Sequence, residues 1–151
     1  MPSDAITGRL AAVFERAPGL AAALRHAGQD TPRAIIAKAR AALDGMTEGE
    51  RSAVLDAHPR IGADAASLSL HSRREQGDAA DAATLRELDG LNDAYEKKFG
   101  FRFVVFVNRR SKEALVPVLE ARLRGSHDEE RQTALREILA IAADRLKRGA
   151  V

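Results

Sequence analysis

Cysteine is absent from this 151-residue sequence, so chemistry near neutral pH falls to its histidines, His26, His58, His71 and His127. One of them has a distinctive setting, His58-Pro59-Arg60-Ile61-Gly62. Proline disfavours the helical conformation at the residue before it, so a helix carrying Val54 and Leu55 must finish near His58. An imidazole mounted rigidly there, with an ordinary pKa of about 6.5, can give or take a proton. A C-terminal histidine that only serves the helix dipole is the competing explanation. The other histidines are less suggestive: His26 precedes a helix stop, His71 adjoins a polar run and His127 sits in a first helical turn. None makes a His-x-x-x-His or similar spacing, and no metal site is expected.

Two further blocks carry polar chemistry. Ser72-Arg73-Arg74-Glu75-Gln76 places a hydroxyl, a carboxylate and an amide within five residues, the groups that would orient a substrate rich in N–H, C=O and O–H. Ser-x-x-Glu is also an ordinary capping box. Asn92-x-x-Tyr95-x-x-Lys98-Phe99-Gly100-Phe101-Arg102-Phe103-Val104-Val105 looks mostly like core, with aromatics anchoring a chain reversal at a glycine cap. Its unusual part is the β-like run from Phe101 to Val107. One strand without a partner is not a sheet, so the run is expected to be a buried, extended connector. Its backbone groups then need partners, either neighbouring side chains or a bound polar ligand.

The elements that must position these residues read as helices. Ile6, Leu10, Val13 and Phe14 recur at helical spacing before Pro18-Gly19, and a short helix follows from about Leu20. Thr31-Pro32 supplies a cap and an N1 proline ahead of Ile35, Ile36, Ala39 and Leu43. Thr47 and Glu50 have capping-box spacing. Residues 59–71 read as a loop turning at Gly62, with a helix of uncertain start around Ser72 to Gln76. Leu85, Leu88, Asn92, Tyr95 and Phe99 form one stripe that ends at Gly100. Ser111 opens a helix with Pro117 in its early turns, and Ser126 with Glu129 caps a last one bearing Leu135, Ile138, Leu139, Ala142 and Leu146. The expectation is an all-α fold: one compact domain over residues 1–151, about seven to eight helices, and one extended connector at residues 101–107. Aromatics are only 4%, so Ala, Leu, Ile and Val must build the core.

Composition narrows the function. Twenty-four basic and 22 acidic side chains are interspersed and leave +2, too little field for a nucleic-acid surface. No apolar run approaches the roughly 20 residues that span a bilayer, so no membrane role is expected. No basic n-region precedes an apolar stretch, and a cytoplasmic location is the expectation.

In this order, the three motifs resemble the OHCU decarboxylase family, where OHCU is 2-oxo-4-hydroxy-4-carboxy-5-ureidoimidazoline. The pattern is His-Pro-x-Leu/Ile-Gly, then Ser-x-x-Glu-Gln, then Asn-x-x-Tyr-x-x-(Lys/Arg)-Phe-Gly-Phe-x-Phe, with Arg145-Leu146 in the final helix. The resemblance implies an all-α homodimer that needs no metal or organic cofactor and converts OHCU to S-allantoin. It places His58 as the catalytic histidine and Glu75 as the essential glutamate. Pro59, Ser72, Gln76 and the backbone of Phe103, Val104, Val105, Phe106 and Val107 become substrate-binding positions, and Arg145 the holder of a substrate carboxylate or carbonyl. Asn108 stands where many relatives carry arginine, and Arg109 or Arg110 would have to replace it. Taken without the resemblance, Arg145 borders an apolar stripe and would send its guanidinium to water, and a lysine there should leave stability nearly intact. Two other functions remain open on the residues: a non-enzymatic helical interaction module, and a decarboxylase of the same family acting on another ureido-carboxylic acid.

Overall fold

The computed structural model describes residues 13–15, 19–20, 31–62 and 82–148. Among them are five helices and no strand. Helix α1 is Pro32–Asp44, α2 Glu48–Asp56, α3 Ala82–Phe99, α4 Lys112–Leu123 and α5 His127–Lys147. The all-helical expectation is met. The count of seven to eight is not reached by these five; the expected helices near Ile6, from Leu20 and around Ser72 to Gln76 lie largely outside the described residues.

Local chemistry sets the boundaries. Thr31 caps α1 by accepting the Ala34 N–H at 3.2 Å, with Pro32 in the first turn. Thr47 and Glu50 make the reciprocal capping box of α2, at 3.2 and 3.0 Å. Ser111 caps α4. Ser126 accepts the Glu129 N–H at 3.2 Å, one half of the box expected at α5. Gly100 ends α3 at φ +81°, a left-handed conformation that favours glycine, while its N–H reaches Glu96 O at 2.8 Å.

Helix α3 packs on α4, and α1 and α2 pack on α5. One core joins them, built from residues such as Ile35, Leu43, Val54, Leu55, Leu88, Leu115, Leu119 and Ile138, with Val13, Phe14 and Leu20 packed in from the N-terminal side. The aromatic block forms its centre. Tyr95 is fully buried, with Phe99, Phe103 and Phe101 around it at ring-centroid distances of 4.6, 5.3 and 6.0 Å. The core explanation of this motif therefore holds for its aromatic residues.

A polar network closes this cluster. Tyr95 donates its hydroxyl to buried Glu130 at 2.8 Å, and Arg122 donates to the same carboxylate at 2.7 Å. Desolvation pushes the Tyr95 hydroxyl well above its ordinary pKa; Arg122 opposes this and the bond to Glu130 adds to it, so the phenol stays a donor. Tyr95→Phe keeps the ring and deletes that donor. The expected result is a loss of about 1–3 kcal/mol, read as a lower denaturant midpoint with an unchanged m-value.

Candidate active site

His58 follows the C-cap of α2, Ala57, where the sequence places the end of that helix. Its N–H still bonds to Leu55 O at 3.1 Å, which holds the residue in the last helical turn. The ring is 4% exposed, with Nδ1 3.4 Å from Val54 O, one turn back. Which ring nitrogen carries the proton depends on the tautomer, and Nδ1 faces that carbonyl. The chain then turns through Pro59 and Arg60 to Ile61, which is buried, and Gly62. Gly62 takes φ +88° with the position of a Cβ 3.4 Å from Leu88, so a side chain would be both strained and crowded there. Asn92 of α3 fastens this corner, donating to Ile61 O at 3.1 Å and to Leu88 O at 2.9 Å.

The extended run lies beside it. Arg102 donates to His58 O at 2.8 Å and so joins residues 101–107 to the end of α2. Phe103, Val104, Val105 and Val107 are buried, whereas Phe106 is half-buried. Several carbonyls in the run are taken by arginine side chains: Val104 O by Arg122 at 2.6 Å, Phe106 O by Arg110 at 2.5 Å and Val107 O by Arg110 at 3.0 Å. Neighbouring side chains thus satisfy part of the connector, and the Arg102 N–H is taken as well, by the Asp56 carboxylate at 3.0 Å. Asn108 and Arg109 both have positive φ, 48° and 65°, and Arg110 N–H returns to Val107 O at 3.0 Å. That is the geometry of a type I′ turn. Of the two arginines weighed beside Asn108, Arg110 is bound to its own turn and Arg109 is exposed.

Arg145 is 1% exposed, so its guanidinium does not reach water as an amphipathic helix position would suggest. It donates to Val13 O at 2.9 Å and to the Glu15 carboxylate at 2.8 Å. These bonds tie α5 to the N-terminal side of the chain. Ser72, Glu75 and Gln76 lie outside the described residues. The structure thus joins Arg102, at the start of the extended run, to the carbonyl of His58 and sets Arg145 in a buried polar contact. Among the described residues, no group of three His, Cys, Asp or Glu side chains gathers to hold a metal, and no helix is long and apolar enough to cross a membrane.

Sequence reasoning missed Glu15, Arg60, Glu96, Arg102 and the Arg122–Glu130 pair. All are long charged side chains whose partners lie on another element, from six residues away for Arg102 and Glu96 to 130 for Arg145 and Glu15. Spacing carries no signal for such pairs. Arg102 alone had a hint, a charged residue within an otherwise apolar run.

Fold and corner together describe a small all-helical protein built around a buried histidine at a helix-to-proline turn, with an extended segment alongside. The chain belongs to the OHCU decarboxylase family, whose sequence profile matches residues 1–147. It is similar to the 2-oxo-4-hydroxy-4-carboxy-5-ureidoimidazoline decarboxylase of Halalkalicoccus jeotgali, 36% identical over 98 residues, which are 62% of this chain and 55% of that protein. It is 31% identical to the uric acid degradation bifunctional protein PucL of Bacillus subtilis, over 97% of this chain and 30% of that protein. The chain thus spans only part of the length of these two curated relatives. A crystal structure of OHCU decarboxylase in the presence of (S)-allantoin superposes with a TM-score of 0.75 at 23% identity, covering 93% of this chain and 96% of that one, which shows a shared fold.

Proposed function

We propose that this chain is a decarboxylase that converts OHCU to S-allantoin in urate degradation, with His58 as proton donor and no cofactor. The observation that carries the reading is the family match along residues 1–147, with the motif histidine buried at a rigid corner beside the extended segment. The names of the relatives point the same way, since they describe OHCU decarboxylation and uric acid degradation.

The chemistry suits these residues. The substrate carries its carboxylate on a carbon that also bears a hydroxyl, next to ring unsaturation. When the C–CO2 bond breaks, CO2 departs and the electron pair enters the ring, so the substrate provides its own electron sink and no organic cofactor is required. The protein holds that bond in the reactive orientation and protonates the carbon from one face. Delivery from His58 on one side gives a single enantiomer. Pro59, Ser72, Gln76 and the backbone of residues 103–107 bind the substrate in this reading, Glu75 bonds its hydroxyl or ureido groups, and Arg145 holds a carboxylate or carbonyl. A homodimer in the cytoplasm, with one domain over 1–151 and further helices in residues 1–30 and 63–81 that bring the total to seven or eight, completes the proposal.

The deciding experiment adds the protein to freshly generated OHCU and follows circular dichroism. A growing signal of S-allantoin, unchanged after exhaustive chelation, is the expected result. No rate above the protein-free control rules the substrate out and directs attention to other ureido-carboxylic acids. Glu75→Ala discriminates the catalytic role from a helix cap. A cap alone is worth about 0.5–2 kcal/mol of stability, whereas loss of a substrate-orienting carboxylate should cut kcat/KM by about a hundredfold or more. A variant that melts lower yet keeps its activity when folded would assign Glu75 to capping.

A further inference from the structure

Helix α2 ends with an unusual problem. The last carbonyls of a helix have no intrahelical partner. Pro59 has no N–H to turn back and cap them. Arg102 fills the gap from another part of the chain. One of its terminal nitrogens donates to Asp56 O at 3.0 Å and to His58 O at 2.8 Å, and its backbone N–H donates to the Asp56 carboxylate at 3.0 Å. A single residue thus makes three hydrogen bonds onto residues 56–58.

The guanidinium is itself oriented. Its Nε donates to Glu96 Oε1 at 3.0 Å. Glu96 also receives Arg60, whose Nε reaches Oε1 at 3.4 Å and whose terminal nitrogen bonds Oε2. Arg60 extends further along α3 to Asp93 at 2.7 Å and Asp89 at 3.1 Å. The residues on both sides of Pro59 are therefore anchored through one carboxylate of α3: His58 by its carbonyl through Arg102, and Arg60 directly. Desolvation pushes the Glu96 carboxyl up, but hydrogen bonds from Arg60 and then Arg102 outweigh it and hold the group below the usual carboxylate range. It stays ionised at neutral pH.

We infer that Arg102 and Glu96 are positioning residues for His58, fixing the backbone of the helix-end turn and through it the direction of the imidazole. This rests on the proposed role of His58 as proton donor. An ordinary half-exposed ion pair contributes little, about 0–1 kcal/mol. The difference here is that the arginine grips main-chain carbonyls next to the reacting side chain, where a displacement of about 1 Å can cost a hundredfold in rate.

The test uses the full chain as Arg102→Ala, Arg102→Lys and Glu96→Gln, with Asp89→Asn and Asp93→Asn as controls. The control side chains bond Arg60 from the solvent side and are 71% and 65% exposed. Two readouts are taken: kcat and KM for OHCU, and the NMR signals of the His58 ring without substrate. Arg102→Ala is expected to lower kcat about ten- to a hundredfold with KM within roughly threefold. Its His58 ring signals should shift and broaden while those of α5 stay in place. Arg102→Lys, which keeps the charge but not the planar fork, should recover only part of kcat. Glu96→Gln should fall between it and the wild type, and both controls should match the wild type. Wild-type kcat together with unmoved His58 ring signals in Arg102→Ala overturns the inference. Should that variant fail to fold, the same pair of results in Arg102→Lys and Glu96→Gln overturns it. If the wild type does not turn over OHCU, the proposed function fails by itself, and the ring signals still decide the positioning role.

Discussion

Replacement of His58 by asparagine should reduce the formation of chiral allantoin by about a hundred- to ten-thousandfold, in a protein that still folds. Asparagine is the informative choice because its amide nitrogen can occupy the place of Nδ1 and keep the contact with Val54 O, 3.4 Å away in the native chain. What it cannot do is exchange a proton near neutral pH. The sequence suggests that a residue at a helix end contributes modestly to stability. Burial revises this: at 4% exposure the ring is packed, and its partial removal is expected to cost about 1–2 kcal/mol. The measurement is therefore made well below the melting transition of the variant, with a circular dichroism assay for enantiopure product and a thermal scan on the same sample. A folded variant with near wild-type rates would remove His58 from the proton-transfer role and return it to the helix dipole.

How much of this molecule its sequence shows depends on the range of the interaction. Caps are legible because donor and acceptor lie three residues apart: Thr31, Thr47, Ser111 and Ser126 all act where their spacing suggests. The α3 stripe is legible for the same reason, since Leu88, Asn92, Tyr95 and Phe99 recur at helical spacing and are all buried. The extended run was legible by elimination, as β-like sequence with no second strand to pair with. Its solution was not. Arginines from 18 residues away, in the case of Arg122, and from the adjoining turn, in the case of Arg110, cover its carbonyls. The same holds for the candidate site. The motif marked His58, but neither Glu96 nor Arg60 carries any local sign that it braces the corner, because the geometry linking them exists only after α3 has packed against the loop. Arg145 shows the limit most clearly. Helical position suggested a stem on the core with a charged tip in water, whereas tertiary structure encloses the tip as well.

Arg145→Lys is expected to lose both stability and substrate affinity, and the two losses can be separated. The native guanidinium spans two acceptors two residues apart, Val13 O at 2.9 Å and the Glu15 carboxylate at 2.8 Å. Glu15 itself holds a positive φ of 54°, a conformation that a residue with a side chain adopts at a cost. The planar fork thus stabilises an unfavourable turn, with both partners almost fully enclosed at 1% and 7% side-chain exposure. A lysine keeps the charge but presents a single ammonium in place of the fork. The sequence-level expectation of nearly intact stability therefore gives way to a loss of about 1–3 kcal/mol. Complete removal of the cation, as in Arg145→Met, should cost more, about 3–5 kcal/mol, because it breaks a buried ion pair from one side. Activity is then compared between Arg145→Lys and Glu15→Gln at a temperature where both are folded. Glu15→Gln disrupts the same ion pair yet retains the arginine. If the fork holds the substrate, Arg145→Lys should show a clearly raised KM and a kcat/KM lower by about ten- to a hundredfold, while Glu15→Gln stays within a few-fold of the wild type. Equal losses in the two variants would assign Arg145 to the turn at Glu15 rather than to the substrate, and the carboxylate's partner would then be sought at Arg109, Arg110 or Arg74.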